Sequence, residues 1–463
     1  MQEWYLLKIA GFTGRKINGF LDFDLNFHDH LTFVTGINGT GKTSAINSIV
    51  ALLFPRLDYL SAEDFELISL EIEHNSEKVA LSASKNGHFT KLKCSRYPDQ
   101  FVSIEPFERD DSMPMHRAVE QEEEFFKEQL GRNRDNPVME FFEELPSPMY
   151  LGLDRRSLSF DTMKSRYYGR ARQRYPYRRK VFSRSLGPSL EEALSFAQET
   201  DRENKMKETR IGARFREKLV MALLDFPPIS FSGRLKDPTQ SELKQIKEAK
   251  QNLRRLPQLL RVPEDEISEK VDPIFSFLDS RIVLLQGKRK VQEKNKEEDL
   301  NYEEARTKAL VEWSFNKAQL NRMNLVSKIV SDHNDEVEKI FEQTNEFLQT
   351  INSFLSDSGK TLSFGKFGEL VFSLHEEPEE RDIRTLSSGE IQLIVILAHL
   401  YFNPEVRQAN VFIIDEPELS LHVQWQEKFV DGLMAASDKT QFIMATHSPS
   451  IIPGQSQLGS RLD

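Results

Sequence analysis

The sequence predicts an α/β protein in which a parallel sheet carries an antiparallel subdomain and a helical insertion. Three observations lead there. A glycine-rich turn, Gly36-Ile-Asn-Gly-Thr-Gly-Lys-Thr43, lies between an apolar run, Leu31-Thr-Phe-Val-Thr35, and a periodic apolar segment from Ala45 to Phe54, which reads as strand, loop, helix. Short alternating runs flank it on both sides, as antiparallel strands do. Near the far end, Val411-Phe-Ile-Ile-Asp415 is apolar up to its last residue, the pattern of a parallel strand buried on both faces.

Composition narrows the class. The 463 residues are 38% hydrophobic and 29% charged, with a net charge of −11. That length suits about three domains, and that charge confines any nucleic-acid contact to a local patch. The single cysteine, Cys94, excludes a disulfide framework and fits a reducing compartment. Its expected state is a buried small hydrophobe. Met1-Gln-Glu-Trp4 begins no signal peptide, and no apolar run reaches membrane-spanning length. A soluble, cytoplasmic protein without membrane contact is expected.

Taken in order, Tyr5–Ala10 and Phe20–Phe27 form two hairpin-like strands ahead of the glycine-rich loop. Glu66–Glu73, Lys78–Ala83 and Phe89–Cys94 alternate again, with Asn75-Ser76 and Asn86-Gly87 as turns. Residues 105–145 read as an acidic amphipathic helical insertion containing the pairs Phe125-Phe126 and Phe141-Phe142. Met149–Leu153 is a short buried strand, and Asp154 and Arg155 at its end face either a ligand crevice or a surface ion pair.

The most basic stretch follows. Lys164, Arg166, Arg170, Arg172, Arg174, Arg178, Arg179, Lys180 and Arg184 occur with no acid among them and with Tyr167, Tyr168, Tyr175 and Tyr177 interleaved. Cations for phosphates and rings for bases suit DNA or RNA. The same composition fits a solvated loop or a dock for an acidic partner protein. From Pro188 to about Leu355 the pattern is helical and charged, in segments 188–225, 237–256 and 268–354, the last broken at Asp272-Pro273 with further breaks expected beyond it. Prolines at 227, 228, 238, 257, 263 and 273 cut the run and argue for a compact insertion over a long coiled-coil arm. Strands return at Lys360–Phe364 and Glu369–Leu374. The expected domains are therefore 1–160, 161–355 and 356–463.

The chemistry lies in four places. Gly36, Gly39 and Gly41 let the backbone turn its N–H groups around a phosphate chain at a helix start. Lys42 would reach the terminal phosphates and Thr43 would ligate Mg²⁺; Asn38 and Ser44 complete the expected ATP-binding set. Asp415 would hold the same ion, and Glu416 would orient and deprotonate an attacking water. Ser387, Ser388 and Gly389 open a helix from Leu393 to Tyr401, either as an ordinary cap or as a second anion site. His447 ends another strand, Gln441–Thr446, where it is either structural or in contact with the γ-phosphate.

The order Gly36–Thr43, Leu386–Gln392, Asp415-Glu416, His447 resembles the ABC-type ATPase heads of the SMC, RecF and OLD families. The phrase Asp415-Glu-Pro-Glu-Leu-Ser-Leu-His422 is especially similar to OLD and RecF-like ATPases. The resemblance implies two heads facing each other with ATP between them, so that Ser387, Ser388 and Gly389 of one copy meet the phosphate loop of the other in a homo-oligomer. It implies that Glu418–His422 passes signals across that interface and that His447 is the switch histidine. Gln100 is the candidate for the glutamine of the lobe junction. OLD proteins carry a nuclease after the ATPase, whereas only residues 448–463 follow His447 here, so any nuclease is expected as a separate effector. That layout is similar to the stand-alone ATPases of anti-phage systems of the PARIS and Septu type, with a phage protein as trigger. The alternatives are a RecF-like repair ATPase and a nucleotide-gated structural module.

Overall fold

The computed structural model describes residues 7–37, 39–87, 89–108, 114–146, 148–152, 157–158, 187–224, 235–260, 262–287, 296–419, 421–437, 439–452 and 459–461. Asn38, Asp154, Arg155 and the basic stretch from Lys164 to Arg184, with Arg170, Arg172, Arg174, Arg178, Arg179 and Lys180, lie outside the described residues. The chain divides into two compact units, one of Met1–Asp201 with Thr344–Asp463 and the other of Arg202–Gln343.

The first unit is a mixed α/β structure. Its antiparallel sheet has the order β2-β1-β4-β5-β6-β7, built from β1 (Leu7–Ile17), β2 (Leu21–Asn26), β4 (Leu67–His74), β5 (Glu77–Asn86), β6 (Phe89–Cys94) and β7 (Val102–Ile104). Asn75 and Ser76 join β4 to β5 with φ of 53° and 65°, the left-handed pair that a tight hairpin requires. β1 runs to Ile17, well beyond the alternating segment expected from sequence. It continues through Gly11 and Gly14 because β2 and β4 both pair with that stretch, so its backbone groups stay satisfied there.

The second sheet has the order β15-β3-β14-β13-β8-β9. It comprises β3 (Leu31–Thr35), β8 (Met149–Leu151), β9 (Ser157–Leu158), β13 (Val411–Asp415), β14 (Gln441–Thr446) and β15 (Gly459–Arg461). Pairing is parallel throughout except at β8–β9. Every residue of β13 and β14 is buried, and the strand period of two explains why. Val411, Ile413 and Ile443 face a core shared with the antiparallel sheet and with α1 (Lys42–Leu53), α2 (Leu57–Ala62), α3 (Met115–Arg132) and α4 (Pro137–Glu144). Phe412, Ile414, Phe442 and Met444 face the other core.

That second core is closed by the first turns of α5 (Gly187–Leu224), the last turns of α9 (Lys296–Leu355), α10 (Ser388–Phe402), α11 (Pro404–Ala409) and α12 (Val423–Ala436). The short sheet β10 (Lys360–Phe364), β11 (Leu370–Leu374) and β12 (Glu377–Asp382) completes it. Phe126, Phe141 and Phe142 of the acidic segment are buried against the antiparallel sheet, so the aromatic pairs are core filler. Cys94 is buried in β6, and that burial pushes its thiol pKa up, away from the reactive thiolate.

The second unit is helical: the remainder of α5 and α9 with α6 (Gln240–Leu253), α7 (Leu256–Leu260) and α8 (Glu264–Gln286). α6 opens with a capping box between Thr239 and Glu242. Two expectations change here. Pro273 sits inside α8 without breaking it, because Phe275, Leu278, Ile282 and Leu285 of the same helix are buried in the unit's core, which offsets a cost of about 3 kcal/mol for an interior proline. α9 runs unbroken for 60 residues, so the last segment has no further interruption after Lys296.

Candidate active site

Strand register assembles the site. Val34, Ala445 and Asp415 are paired side by side across β3, β14 and β13. One residue further, β13 reaches Glu416; two residues further, β3 enters the glycine-rich loop at Gly36 and β14 reaches His447. The C-terminal ends of three adjacent parallel strands thus carry the loop, the acidic pair and the histidine, where ligands bind in open α/β sheets.

The loop has the backbone its glycines allow. Gly39 and Gly41 have φ of 92° and 89°, values that side chains resist. Gly41 caps α1 with no side-chain hydrogen bond, and the first turn of α1 contains no acid. Its leading N–H groups are left to an anion. Lys42, only 5% exposed, donates from Nζ to the carbonyls of Gly36 at 2.9 Å and Ile37 at 3.3 Å. Those carbonyls hold the ammonium over the loop it would serve. Asn18 in the β1–β2 turn donates to Ser44 Oγ at 3.2 Å, which leaves the Ser44 O–H as a donor.

Asp415 is 3% exposed and, among the described residues, neither carboxylate oxygen has a hydrogen-bond partner of normal geometry. Burial pushes its pKa up to about 6; the Thr43 hydroxyl and Lys42 pull it down, while Glu416 and Glu418 push it further up. An unpartnered buried carboxylate beside a threonine hydroxyl is a costly arrangement for a protein alone. It fits a hard divalent cation that takes two protein oxygens and fills its remaining positions with phosphate and water, as Mg²⁺ does. Among the described residues no cluster of three or more His, Cys, Asp or Glu side chains offers an all-protein metal cage.

Glu416 holds a left-handed φ of 49°, uncommon and costly for a residue with a side chain. Its backbone N–H donates to Ala445 O at 2.8 Å, which keeps it against β14. His447 Nδ1 lies 3.8 Å from Glu416 Oε1 and 3.1 Å from Glu418 Oε1. Lys42, Thr43, Asp415, Glu416 and His447 therefore meet at one sheet end.

The serine segment forms a separate feature. Ser387 caps α10 in a capping box with Glu390, and the buried Glu390 carboxylate also accepts from Lys360 Nζ at 2.7 Å and Ser358 Oγ at 3.1 Å. Ser387 and Ser388 are exposed, whereas Gly389 is buried. Their cap is therefore held rigidly from within and presented outward. Gln100 is exposed in the turn between β6 and β7, its N–H bonded to Tyr97 O. Pattern reading passes over Gln441, and it gives Glu418 only as the start of the Glu418–His422 loop and not as the cap of β14, since each bonds partners remote in the chain. The acid immediately after Asp415-Glu416-Pro417 was the available signal for Glu418.

A phosphate loop, an acidic strand tip and a histidine-tipped strand at one end of a parallel sheet define a P-loop ATPase head of the ABC type. The chain belongs to the AAA ATPase domain family, whose pattern it matches over residues 18–452. It is similar to the "Retron Vc95 probable ATPase" of Vibrio cholerae serotype O1 biovar El Tor, with 25% identity over 162 residues, covering 32% of this chain and 31% of that protein. The match thus spans about a third of that relative. Among solved structures, it is similar to the Smc head domain of Pyrococcus furiosus bound to the C-terminal domain of ScpA, at TM-score 0.37 and 12% identity over 96% of this chain and 91% of that one. The Smc head domain of Pyrococcus yayanosii with a coiled coil and joint gives 0.36 and 11% over 96% and 93%. No helix among the described residues is long and apolar enough to cross a membrane.

Proposed function

We propose that this chain binds and hydrolyses ATP with Mg²⁺ as a homo-oligomeric ABC-type head, and that it serves as sensor and scaffold of an anti-phage system by controlling a separately encoded effector nuclease. The observation that carries the ATPase reading is the convergence of Lys42 and Thr43 with Asp415, Glu416 and His447, residues drawn from both ends of the chain, around unpartnered acceptors. The likeness to a retron ATPase supports the defence setting.

The geometry supports the following roles. The first-turn N–H groups of α1 receive the phosphate chain, and Lys42 exchanges the carbonyls of Gly36 and Ile37 for phosphate oxygens. Thr43 and Asp415 would hold Mg²⁺, which supplies charge neutralisation to the β- and γ-phosphates. Glu416 orients a water and accepts its proton as that oxygen attacks the γ-phosphorus, and His447 faces the departing phosphate. Ser387 and Ser388, exposed on a rigid cap, act on the nucleotide of a second copy. The basic stretch Lys164–Arg184 takes the trigger, the effector or nucleic acid.

The test uses purified protein with ATP and Mg²⁺. Wild type should hydrolyse ATP, Lys42→Ala should fail to bind it, and Glu416→Gln should bind it, turn it over about 100-fold or more slowly, and accumulate as a larger species in light scattering. A wild-type protein that stays monomeric during normal turnover would sink the shared-site reading. In cells carrying the native neighbouring genes, plaque counts should rise with Lys42→Ala.

A further inference from the structure

We propose that Lys360 is a positioning residue for the serine cap of α10: paired with Glu390, it keeps that carboxylate seated under the cap and cancels its charge beside the phosphates that Ser387 and Ser388 meet on a second copy. The consequence for turnover rests on the shared-site reading above. Glu390 stands in the first turn of α10 and is 2% exposed. Its Oε2 accepts from the backbone N–H of Ser387 at 2.8 Å, and its own N–H donates to Ser387 Oγ at 3.4 Å. Oε1 is held from another part of the chain, by Lys360 Nζ at 2.7 Å and by Ser358 Oγ at 3.1 Å.

An ordinary capping box needs neither of those last two bonds, because water satisfies the outer oxygen of an exposed glutamate. Here the carboxylate is buried, and a buried charge without a partner is costly. Burial pushes the Glu390 pKa up, but the bonds from Lys360 and Ser387 outweigh it and hold the group below its ordinary value. The acid is therefore ionised at neutral pH. An anion in the first turn stabilises a helix, yet it repels a second anion brought to the same end. α1, whose start takes the phosphate chain in this reading, has no acid in its first turn, whereas α10 has Glu390. Lys360, at the start of β10 with its side chain 23% exposed, supplies the compensating charge at hydrogen-bond distance. The start of α10 thus stays able to receive phosphate.

Two measurements test this. In nucleotide-free protein, Lys360→Met should speed hydrogen exchange at the N–H groups of Ser387 and Glu390. Lys360→Arg should exchange as wild type does, and so should the double variant Lys360→Met/Glu390→Gln, in which glutamine keeps the capping box. Unchanged exchange in Lys360→Met overturns the proposal whether or not the protein hydrolyses ATP. With ATP and Mg²⁺, Lys360→Met should lower kcat about tenfold while ATP affinity stays within about twofold. In a Glu416→Gln background it should raise the protein concentration for half-maximal association by about tenfold as well. Lys360→Arg and the double variant should recover to within about twofold of wild type. A merely stabilising ion pair predicts a lower melting temperature without those losses; full turnover in Lys360→Met, or a loss that the double variant retains, overturns the positioning role. Should Lys360→Met not fold, the double variant decides alone, near-wild-type turnover supporting the proposal and a tenfold loss overturning it. Wild-type protein with the expected exchange pattern and no ATP turnover would instead fail the ATPase reading and leave the hold of Lys360 on the cap standing.

Discussion

The side-chain amide of Gln441 bonds the backbone of Ile9 in both directions: Oε1 accepts from Ile9 N–H and Nε2 donates to Ile9 O, each at 2.8 Å. Nε2 also donates to His28 O at 2.9 Å. A residue that opens β14 therefore substitutes for a neighbouring strand along β1, and it ties the strand that ends in His447 to the antiparallel sheet.

Gln441→Ala leaves both polar groups of the buried Ile9 backbone unpartnered. It should destabilise the protein by about 2–4 kcal/mol, read as a lower denaturant midpoint. Gln441→Glu should be at least as damaging at neutral pH, because it turns an acceptor toward the carbonyls of Ile9 and His28. An unchanged midpoint in both would show that the tie between the sheets carries no stability.

The two left-handed glycines of the phosphate loop should respond differently. A Cβ at Gly41 would meet Leu21 Cδ1 at 2.7 Å and Phe23 Cζ at 2.8 Å, whereas one at Gly39 meets nothing within 4 Å. Gly39→Ala then bears only backbone strain, about 1 kcal/mol, while Gly41→Ala adds overpacking for a total of about 2–4 kcal/mol. Thermal unfolding of the two variants without nucleotide checks the order, and Gly41→Ala should also lose ATP binding.

Asp415 sets one pH dependence. Its folded pKa of about 6 lies above the ordinary 3.8, so the folded state holds the proton more tightly than the unfolded state. The stability this lends is fully present below about pH 4 and is lost as pH rises through about 6. Asp415→Asn should therefore stabilise the nucleotide-free protein at pH 8 by about 2–3 kcal/mol, an advantage that fades below pH 4, while removing turnover. A variant less stable than wild type at pH 8 would contradict this.

His399 sets the opposite one. Burial lowers its pKa from 6.5 to about 4, so the unfolded chain takes up a proton that the fold refuses. Stability falls as pH drops from about 6.5 toward 4, by up to about 3 kcal/mol. The Asp415 and His399 effects oppose each other between pH 4 and 6, so wild type alone will show a muted profile. His399→Gln should lose less stability than wild type on acidification from pH 7 to 5, measured by denaturant midpoints.

Much of the site is legible in sequence where chemistry is local. Lys42 and Thr43 follow glycines that a phosphate loop needs, and Asp415 follows an apolar run that only a doubly buried strand tolerates. The Phe125–Phe126 and Phe141–Phe142 pairs, by contrast, sit in an acidic segment whose composition hides that Phe126, Phe141 and Phe142 belong to the core. Pro273 reads as a break because its local cost is visible and the packing of Phe275 and Leu278 that offsets it is not. Ser44 reads as one more phosphate-loop hydroxyl, and its contact with Asn18 from a distant turn is not legible in the loop.

The sequence by itself determined the strand types, the phosphate loop and the acidic strand tip, because periodicity, glycine freedom and the burial of an uninterrupted apolar run act over a few neighbouring residues. Only the tertiary structure decided that Val34, Ala445 and Asp415 share a row, that Gln441 joins the two sheets, and that Glu418 caps the tip of β14 at Thr446. Those relationships are made by hydrogen bonds between residues from 28 to 432 positions apart, and nothing in a local pattern records which donor a buried acceptor will meet once the strands are aligned.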